Sequence, residues 1–457
     1  MTMSIVPTTD QSVREAYSRD ASGLELVPEM VARPESAAEA VALIAEAISA
    51  GTPITTAGGQ TSLTGASITD RGMLLSLRAM SKMVDLDVSA RTVRVEPGGF
   101  VGDMKRAVAE HGLLFPPDVT SENEATIGGA IACNASGARS LRYGPTRRWV
   151  RSLTVALATG EVVELQRPRL EKNTAGYGPI HDPVDWFIGS EGTLGVVLEA
   201  VFDLLPLPEQ VTGLGVPFAT EADALRFVRE ARRHGVVHPR CLEYLDQFAL
   251  DIVRQQEGGE AWRGSAFVYT EQEHQGDDDA HLDAWLELAE ASNASVDDIV
   301  VFDSDAAIRG ARDLRHAVPA TTNERGSRFI AHGGRRVATD WAVPLDLLPQ
   351  ALISAREIAA KHDLPMPVTF GHAGNGHPHQ DFVATDAPML ARVEAAVEET
   401  LHLVLGMGGT VAAEHGIGKL KKKWLPLQLS PMQLAAMSAL KHTLDPAGLL
   451  APGNVIS

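Results

Sequence analysis

Over the first two hundred residues the apolar positions come in short blocks separated by glycine turns. Behind Ser36-Ala37-Ala38-Glu39, which has the form of a capping box, Val41, Ile44, Ala45 and Ile48 recur at helical spacing and Gly51 stops the run. Residues 53–56 read as a short strand entering Gly58-Gly59-Gln60-Thr61-Ser62-Leu63-Thr64-Gly65. Further strands are expected at 72–77, 84–88 and 92–95, and Met104, Ala107 and Val108 mark a helix ended by Gly112. Residues 1–26 read as a loose lead-in. After Leu207-Pro208 the helices lengthen and carry more charge, as over 221–234, and Asp277-Asp278-Asp279 reads as a solvated loop. From Arg336 the expected order is strand 337–343, helix 345–361, strand 367–370, a strand or loop, and helix 388–405. Such alternation predicts an α+β domain with helices on one sheet face.

At 457 residues the chain has room for about three domains on a prior of ~150 residues each. The 59 acidic residues outnumber 40 basic ones, for a formal charge of −19, which argues against nucleic acid or an anionic membrane as the main partner. Only Cys133 and Cys241 occur, so there is neither a disulfide framework nor a cysteine metal pair, and a reducing, cytoplasmic setting is the simple expectation. The first seven residues lack the basic and apolar regions of an export signal. No apolar stretch approaches the ~20 residues of a membrane span.

Composition changes the picture at the glycines. Three clusters fall before residue 200: the loop from Gly58, a second from Pro116-Pro117-Asp118 through Gly128-Gly129 to Asn134-Ala135-Ser136-Gly137, and a third at Gly189-Ser190-Glu191-Gly192-Thr193-Leu194-Gly195. Glycine lets backbone N–H groups approach an anion closely, and Ser or Thr add hydroxyl donors. Each cluster taken singly reads first as a tight turn. Neither a P-loop nor a G-x-G-x-x-G fingerprint is present, so the residues point to a phosphate-bearing cofactor in a non-Rossmann domain.

A second concentration of chemistry follows. Phe370-Gly371-His372-Ala373-Gly374-Asn375-Gly376-His377-Pro378-His379 packs three histidines into eight residues, and Glu414-His415-Gly416-Ile417-Gly418 comes after an expected helix. Imidazoles plus a carboxylate suit a divalent transition metal. Neighbours on a strand face opposite ways, so Glu414 and His415 are expected to serve different ends. On spacing alone a metallohydrolase competes with a redox enzyme.

The run Phe115-Pro116-Pro117-Asp118-Val119-Thr120-Ser121-Glu122, then Ala125-Thr126-Ile127-Gly128-Gly129-Ala130, Asn134-Ala135-Ser136-Gly137 and Arg142-Tyr143-Gly144, resembles the FAD domain of the vanillyl-alcohol oxidase / p-cresol methylhydroxylase superfamily. The third cluster and the ending Asp445-Pro446-Ala447-Gly448 to Asn454 are similar too, so the likeness runs from about Leu26 to Asn454. The later segments resemble the Gly-His-x-Gly-Asp-Gly-Asn-x-His and Glu-His-Gly-Ile-Gly motifs of FAD-dependent 2-hydroxy-acid dehydrogenases, the group of D-lactate dehydrogenase, the glycolate oxidase flavin subunit and D-2-hydroxyglutarate dehydrogenase.

This resemblance implies an α+β chain of two domains: a p-cresol-methylhydroxylase-type FAD domain over 1–206 with 411–457 returning to it, and a cap over 207–410. It implies non-covalent FAD, since no histidine lies in the first loop, with Gly58, Gly59, Gln60, Thr61, Ser62, Pro117, Asp118, Ser121, Gly128, Gly129, Asn134, Ser136, Gly137, Gly192 and Asn454 as contacts. By position His372, His379 and Glu414 match ligands of zinc or manganese, His415 the catalytic base and Arg315 the arginine that binds the substrate carboxylate. The implied reaction takes a 2-hydroxy acid, and a metal that draws down the hydroxyl pKa would let His415 accept its proton. Departures are Ala57 for an arginine, Asn375 for aspartate, His377 for asparagine, and Ala338 where D-2-hydroxyglutarate dehydrogenases carry a lysine for the distal carboxylate, a place Arg335 or Arg336 could fill. Of Lys419-Leu420-Lys421-Lys422-Lys423, expected as a solvated helix start, only Lys421 matches a family position. The electron acceptor is open among a quinone, a cytochrome and an electron-transfer flavoprotein, and a homodimer is an open alternative. A dioxygen-using oxidase, a non-redox alkyl-transfer enzyme and a flavin-free metalloprotein are the rivals.

Overall fold

The computed structural model describes residues 6–275 and 280–456. The acidic run at 277–279 and the first five residues, and with them the expectations placed there, lie outside the described residues. No helix among those described is long and apolar enough to cross a membrane. The chain forms two compact units: one holds the residues up to Gly137, Gly144–Leu207 and the residues from Glu414 on, and the other holds Ala138–Tyr143 and Pro208–Ala413.

The first unit has a parallel three-stranded sheet, with Met73–Ser76 between Met30–Ala32 and Ile54–Ala57, and an antiparallel five-stranded sheet. The second sheet runs Met83–Asp87, Thr92–Val95, Val196–Asp203, Val150–Ala156, Val162–Gln166 in spatial order. Helix Ala37–Ser49 buries Ala40, Leu43, Ile44 and Ala47 against Ile54, Met73 and Leu75. The buried stripe therefore differs from the expected one, and Ala45 is exposed. Ser36 caps the helix at the amide of Glu39, but the Glu39 carboxylate accepts from the amide of Glu35, so the capping box is not reciprocal. From residue 6 on the lead-in is ordered rather than loose. It forms helix Gln11–Ala16, capped by Asp10, and Thr8 bridges Val31. The returning C-terminal segment adds Leu450 to this core, bridging Ile54.

The second unit is built on an antiparallel seven-stranded sheet. Its spatial order is Val300–Phe302, Gln210–Phe218, Ala266–His274, Pro239–Leu245, Val368–His372, His377–Ala384, Arg335–Ala338. Register places Cys241 opposite Glu271, Glu243 opposite Tyr269, and Leu245 opposite both Phe267 and Phe370. Because side chains alternate across a strand, these residues share one face. Helices Gln247–Val253 and Asp305–Ser327 pack there on Leu245, Phe267, Tyr269 and Phe370. On the other face Phe218 meets Phe227 of helix Glu221–Arg233, and Phe227 meets Trp285, at ring-centroid distances of 5.4 and 5.7 Å. Helices thus cover both faces, not the single face expected. The reason is in the strands: Ala266 to Gln272 are buried at every position, leaving no polar face for solvent.

The strand expected at 337–343 ends at Ala338. The Thr339 hydroxyl accepts the amide of Gln380 at 3.0 Å, in the place a strand carbonyl would take, and the Thr339 carbonyl turns toward His379. Trp262 is fully buried in the core of this unit, stacked 4.4 Å from Phe267. Trp262→Ala is expected to lower stability by about 3–5 kcal/mol through the lost burial and the cavity left behind. The check is a urea midpoint followed by circular dichroism, and an unshifted midpoint would refute this account of the core.

Candidate active site

In the first unit the three glycine clusters meet beyond the end of strand Ile54–Ala57. A Cβ on Gly58 would lie 2.1 Å from Thr126 Oγ1, one on Gly59 1.8 Å from the Glu124 carbonyl, and one on Gly192 2.7 Å from Thr56 Oγ1. Glycine is needed at these points for packing of cluster on cluster. Cofactor capacity shows in the backbone instead. Among the described residues none of the amides of residues 58–63 donates to a protein acceptor. Such a run of N–H groups is a concave anion site, and it fits a pyrophosphate.

The other sequence-derived flavin contacts fall around this loop. Gln60 takes the left-handed conformation, and its amide group donates to the carbonyls of Tyr17 and Arg19. Ser62 Oγ accepts from the amides of Thr64 and Ala66; Thr61 and Pro117 are placed in loops. Asp118 is buried and pairs with Lys105 at 2.9 Å, and Gly137 packs against its carbonyl. The Ser121 carbonyl accepts from Glu124 and Ala125. Gly128 and Gly129 open the short helix Ile127–Cys133, which Thr126 caps and Asn134 ends in the left-handed conformation. Asn454 is fully buried: its side-chain amide donates to the carbonyls of Ala66 and Glu191, and its oxygen accepts from Lys419. It clasps the C-terminal segment to the first and third clusters.

Glu191, within the third cluster, was not singled out by sequence reasoning. Its backbone sits at φ 52°. Its two carboxylate oxygens accept the amides of Ile417 and Gly418 at 2.6 and 2.7 Å. Burial raises its pKa, against the lowering effect of these two amides. The Glu414–Gly418 segment is thereby pinned as a series of bends and not as a strand. The expected opposition of Glu414 and His415 fails for that reason. His415 Nε2 approaches Glu414 Oε1 to 3.5 Å, and Ser136 Oγ stands 3.5 Å from the other carboxylate oxygen. The lysine run departs from expectation as well. Lys421 is buried, and Lys419 Nζ donates to Asn454 Oδ1 at 2.7 Å and the Gly65 carbonyl at 3.1 Å.

In the second unit a tight hairpin joins Val368–His372 to His377–Ala384, pairing His372 with His377 and Phe370 with His379. All three rings lie on one sheet face, and one ring nitrogen of each lies within 4.8 Å of the others. Gly371 (φ 115°) is required, since a Cβ there would meet the His379 ring at 2.7 Å. His372 Nδ1 donates to Glu243 Oε1 at 2.7 Å, and Arg315 Nε donates to Glu243 Oε2 at 2.9 Å. Burial alone would raise the Glu243 pKa, but the charges and hydrogen bonds of His372 and Arg315 hold it at about 2. With Glu243 ionised, Nδ1 of His372 carries a hydrogen, and in its neutral form the ring would offer Nε2 to a metal. His379 Nδ1 faces the Thr339 carbonyl at 3.4 Å, which fixes the same tautomer. Asp340 Oδ1 lies 3.2 Å from His377 Nε2. These buried imidazoles, two of them hydrogen-bonded through the outer nitrogen, fit a divalent ion.

Arg315, on helix Asp305–Ser327, lies over the Phe370 ring, and its Nη2 is buried without a protein acceptor among the described residues. Arg336 forks onto Asp381 at 2.8 and 2.9 Å, and Arg335 pairs with Glu394, so both arginines are committed to carboxylates of the protein. Glu243, Asp340 and Thr339 were missed by sequence reasoning. Only a strand assignment that put Glu243 on the same face as the histidines could have found the first.

Residues 207–455 match the family described as FAD linked oxidases, C-terminal domain, and residues 28–166 match an FAD binding domain. Glycolate oxidase subunit GlcD of Bacillus subtilis is 32% identical over 97% of this chain and 92% of its own length. D-lactate dehydrogenase of Archaeoglobus fulgidus is 31% identical over 93% and 91%. D-2-hydroxyglutarate dehydrogenase of Xanthomonas citri is 32% identical over 94% and 89%. In fold the chain is similar to alkyldihydroxyacetonephosphate synthase (TM-score 0.76, 18% identity, 98% of this chain and 82% of that one) and to substrate-bound p-cresol methylhydroxylase (0.75, 15%, 99% and 94%).

Lys419 supplies a pH test of the clasp. Burial beside neutral acceptors lowers its pKa to about 8. Below pH 8 the lysine is charged in both folded and unfolded chains. Between 8 and the ordinary lysine value only the unfolded chain binds the proton, so stability rises with pH across that window, by up to roughly 3 kcal/mol. Lys419→Gln should remove this rise from the urea midpoints, and an identical pH profile in the variant would refute the assignment.

Proposed function

We propose, from the premise that this chain belongs to the FAD linked oxidases, that it oxidises a 2-hydroxy acid carrying one carboxylate, of the lactate or glycolate kind, to the 2-oxo acid. The observation that carries this reading is the buried chain Arg315–Glu243–His372, which joins a guanidinium with an undonated Nη2 to the histidine face. A 2-hydroxy acid needs both parts: a cation for its carboxylate and an activating group for the adjacent hydroxyl. Arg335 and Arg336 are held by Glu394 and Asp381, and Ala338 is apolar. That leaves none of the three to receive a second carboxylate and speaks against 2-hydroxyglutarate.

The amides of residues 58–63, with Ser136, Gly137 and the residues of the second and third clusters, would hold FAD without a covalent link, and His372, His379 and Glu414 would hold zinc or manganese. When bound, FAD supplies the hydride acceptor and a divalent ion supplies Lewis acidity that makes a hydroxyl easier to deprotonate. The chain's own work is positioning and proton transfer. Arg315 directs its free guanidinium edge to the substrate carboxylate, a fork that suits two oxygens. His415 accepts the hydroxyl proton as the Cα hydride departs. Glu191 keeps His415 in place by binding the amides just beyond it.

Purified protein should be yellow, release FAD on acid precipitation, and lose its oxidised-flavin absorbance when mixed anaerobically with D-lactate or glycolate. A colourless protein that cannot be reconstituted with FAD, or a flavin that no 2-hydroxy acid reduces, overturns the proposal. Peroxide formed in step with oxygen uptake would identify dioxygen as acceptor in place of a quinone, a cytochrome or an electron-transfer flavoprotein. His415→Asn should retain FAD and metal while flavin reduction slows by about 10²–10⁴-fold. Arg315→Lys, which keeps a charge beside Glu243 but loses the fork, should raise KM by about tenfold or more with a smaller change in the saturated rate.

A further inference from the structure

We infer that His377 is itself a ligand, so that the centre is a three-imidazole site that favours zinc-type ions over manganese. The inference rests on the metal reading above and adds a donor that the family motif, with asparagine at this place, does not contain. Three observations point the same way. The rings of His372, His377 and His379 stand 5.4, 5.2 and 4.7 Å apart, centroid to centroid. Imidazoles held on one tetrahedral ion through bonds of about 2.1 Å would keep their centroids about 5 Å apart.

The outer partners are the second observation. Imidazoles that bind a metal with one nitrogen almost always direct the other to a carboxylate or a carbonyl. Here His372 has Glu243 and His379 has the Thr339 carbonyl, while the Asp340 carboxylate lies 3.2 Å from His377 Nε2 without a formed hydrogen bond. The third is placement. His377 is the direct cross-strand partner of His372 and lies two residues from His379 on the same face, so its side chain enters the cluster by register and not by a flexible excursion. All three rings are buried. Asparagine at 377 would offer an oxygen, a donor that suits manganese; a third nitrogen suits zinc, cobalt and nickel. The competing account is a buried His377–Asp340 pair with no ion. That account predicts that nothing about metal binding depends on residue 377.

The test uses FAD-loaded protein, stripped of metal by dialysis against a chelator and titrated with zinc, manganese or cobalt(II), each alone. Flavin content serves as the folding control. His377→Asn, which installs the family residue, is expected to weaken zinc at least about 100-fold while changing manganese less than about threefold, and to shift the visible cobalt difference spectrum. Asp340→Asn leaves the ring in place and should weaken zinc by about 10–100-fold. It provides the answer if His377→Asn does not fold. Zinc affinity and cobalt spectrum unchanged in the two variants would overturn the inference and leave the metal reading standing. Wild-type protein that binds none of the three ions would overturn the metal reading itself.

Discussion

A carboxylate buried to 1% exposure among aromatic and aliphatic side chains is tolerable only if its charge is answered on both sides, and Glu243 meets that condition through Arg315 and His372. Removing either partner would strand a charge in the interior, at a cost of about 3–5 kcal/mol by analogy with broken buried pairs. The same constraint does chemical work. Holding Glu243 ionised fixes the proton of His372 on the outer nitrogen and aims the inner one at the cluster. It also orients the Arg315 plane, with Nε satisfied and Nη2 left over. Arg315 and His372 are therefore coupled through one side chain, and under the proposed function that chain joins the substrate cation to a metal ligand.

The flavin-type unit solves a different problem, that of accounting for backbone hydrogen bonds. Its loops carry little regular ladder, so the amides must find side-chain acceptors or a ligand. Glu191 answers two of them in the segment that bears His415. Asn454 and Lys419 tie the returning C-terminal segment to the loop beyond Gly65. Where these answers stop, at residues 58–63, the remaining amides are left for a ligand, the anion site of the proposed function. The left-handed conformation of Glu191 belongs to the same solution: a non-glycine residue is held in a costly region because its side chain is needed on both oxygens.

The departures from the family motifs divide by place. Asn375 is exposed in the hairpin turn. Ala57 packs with Val31 and Leu74 at the edge of a small apolar cluster, a place where an arginine would have to extend out of the core. His377 alone stands inside the histidine face. Asp381 is held from two sides, by Arg336 of the adjacent strand and by Thr322 of helix Asp305–Ser327, so Arg336 is not free to take over the role of a missing lysine.

Local periodicity and local motif determined a good deal in advance. The glycine clusters, the His-x-His alternation at 377 and 379, the helix over 221–233 and the chain-long likeness to flavin-linked oxidases are all contained in contiguous stretches, because a turn, a strand face or a helix stripe is set by residues a few positions apart. The strand at 337–343, the single-faced cap sheet and the opposed Glu414 and His415 were misjudged for the complementary reason. Each depended on partners elsewhere: the Thr339 hydroxyl substituting in a ladder, strands buried on both faces, and amides captured by a glutamate 226 residues away. Glu243 marks the boundary most clearly. It lies 129 residues from His372, in a strand that reaches its neighbour only because the sheet order is not the sequence order. Nothing along the chain distinguishes it from any other surface glutamate; burial between a guanidinium and an imidazole, supplied by the tertiary structure, made it the junction of the two.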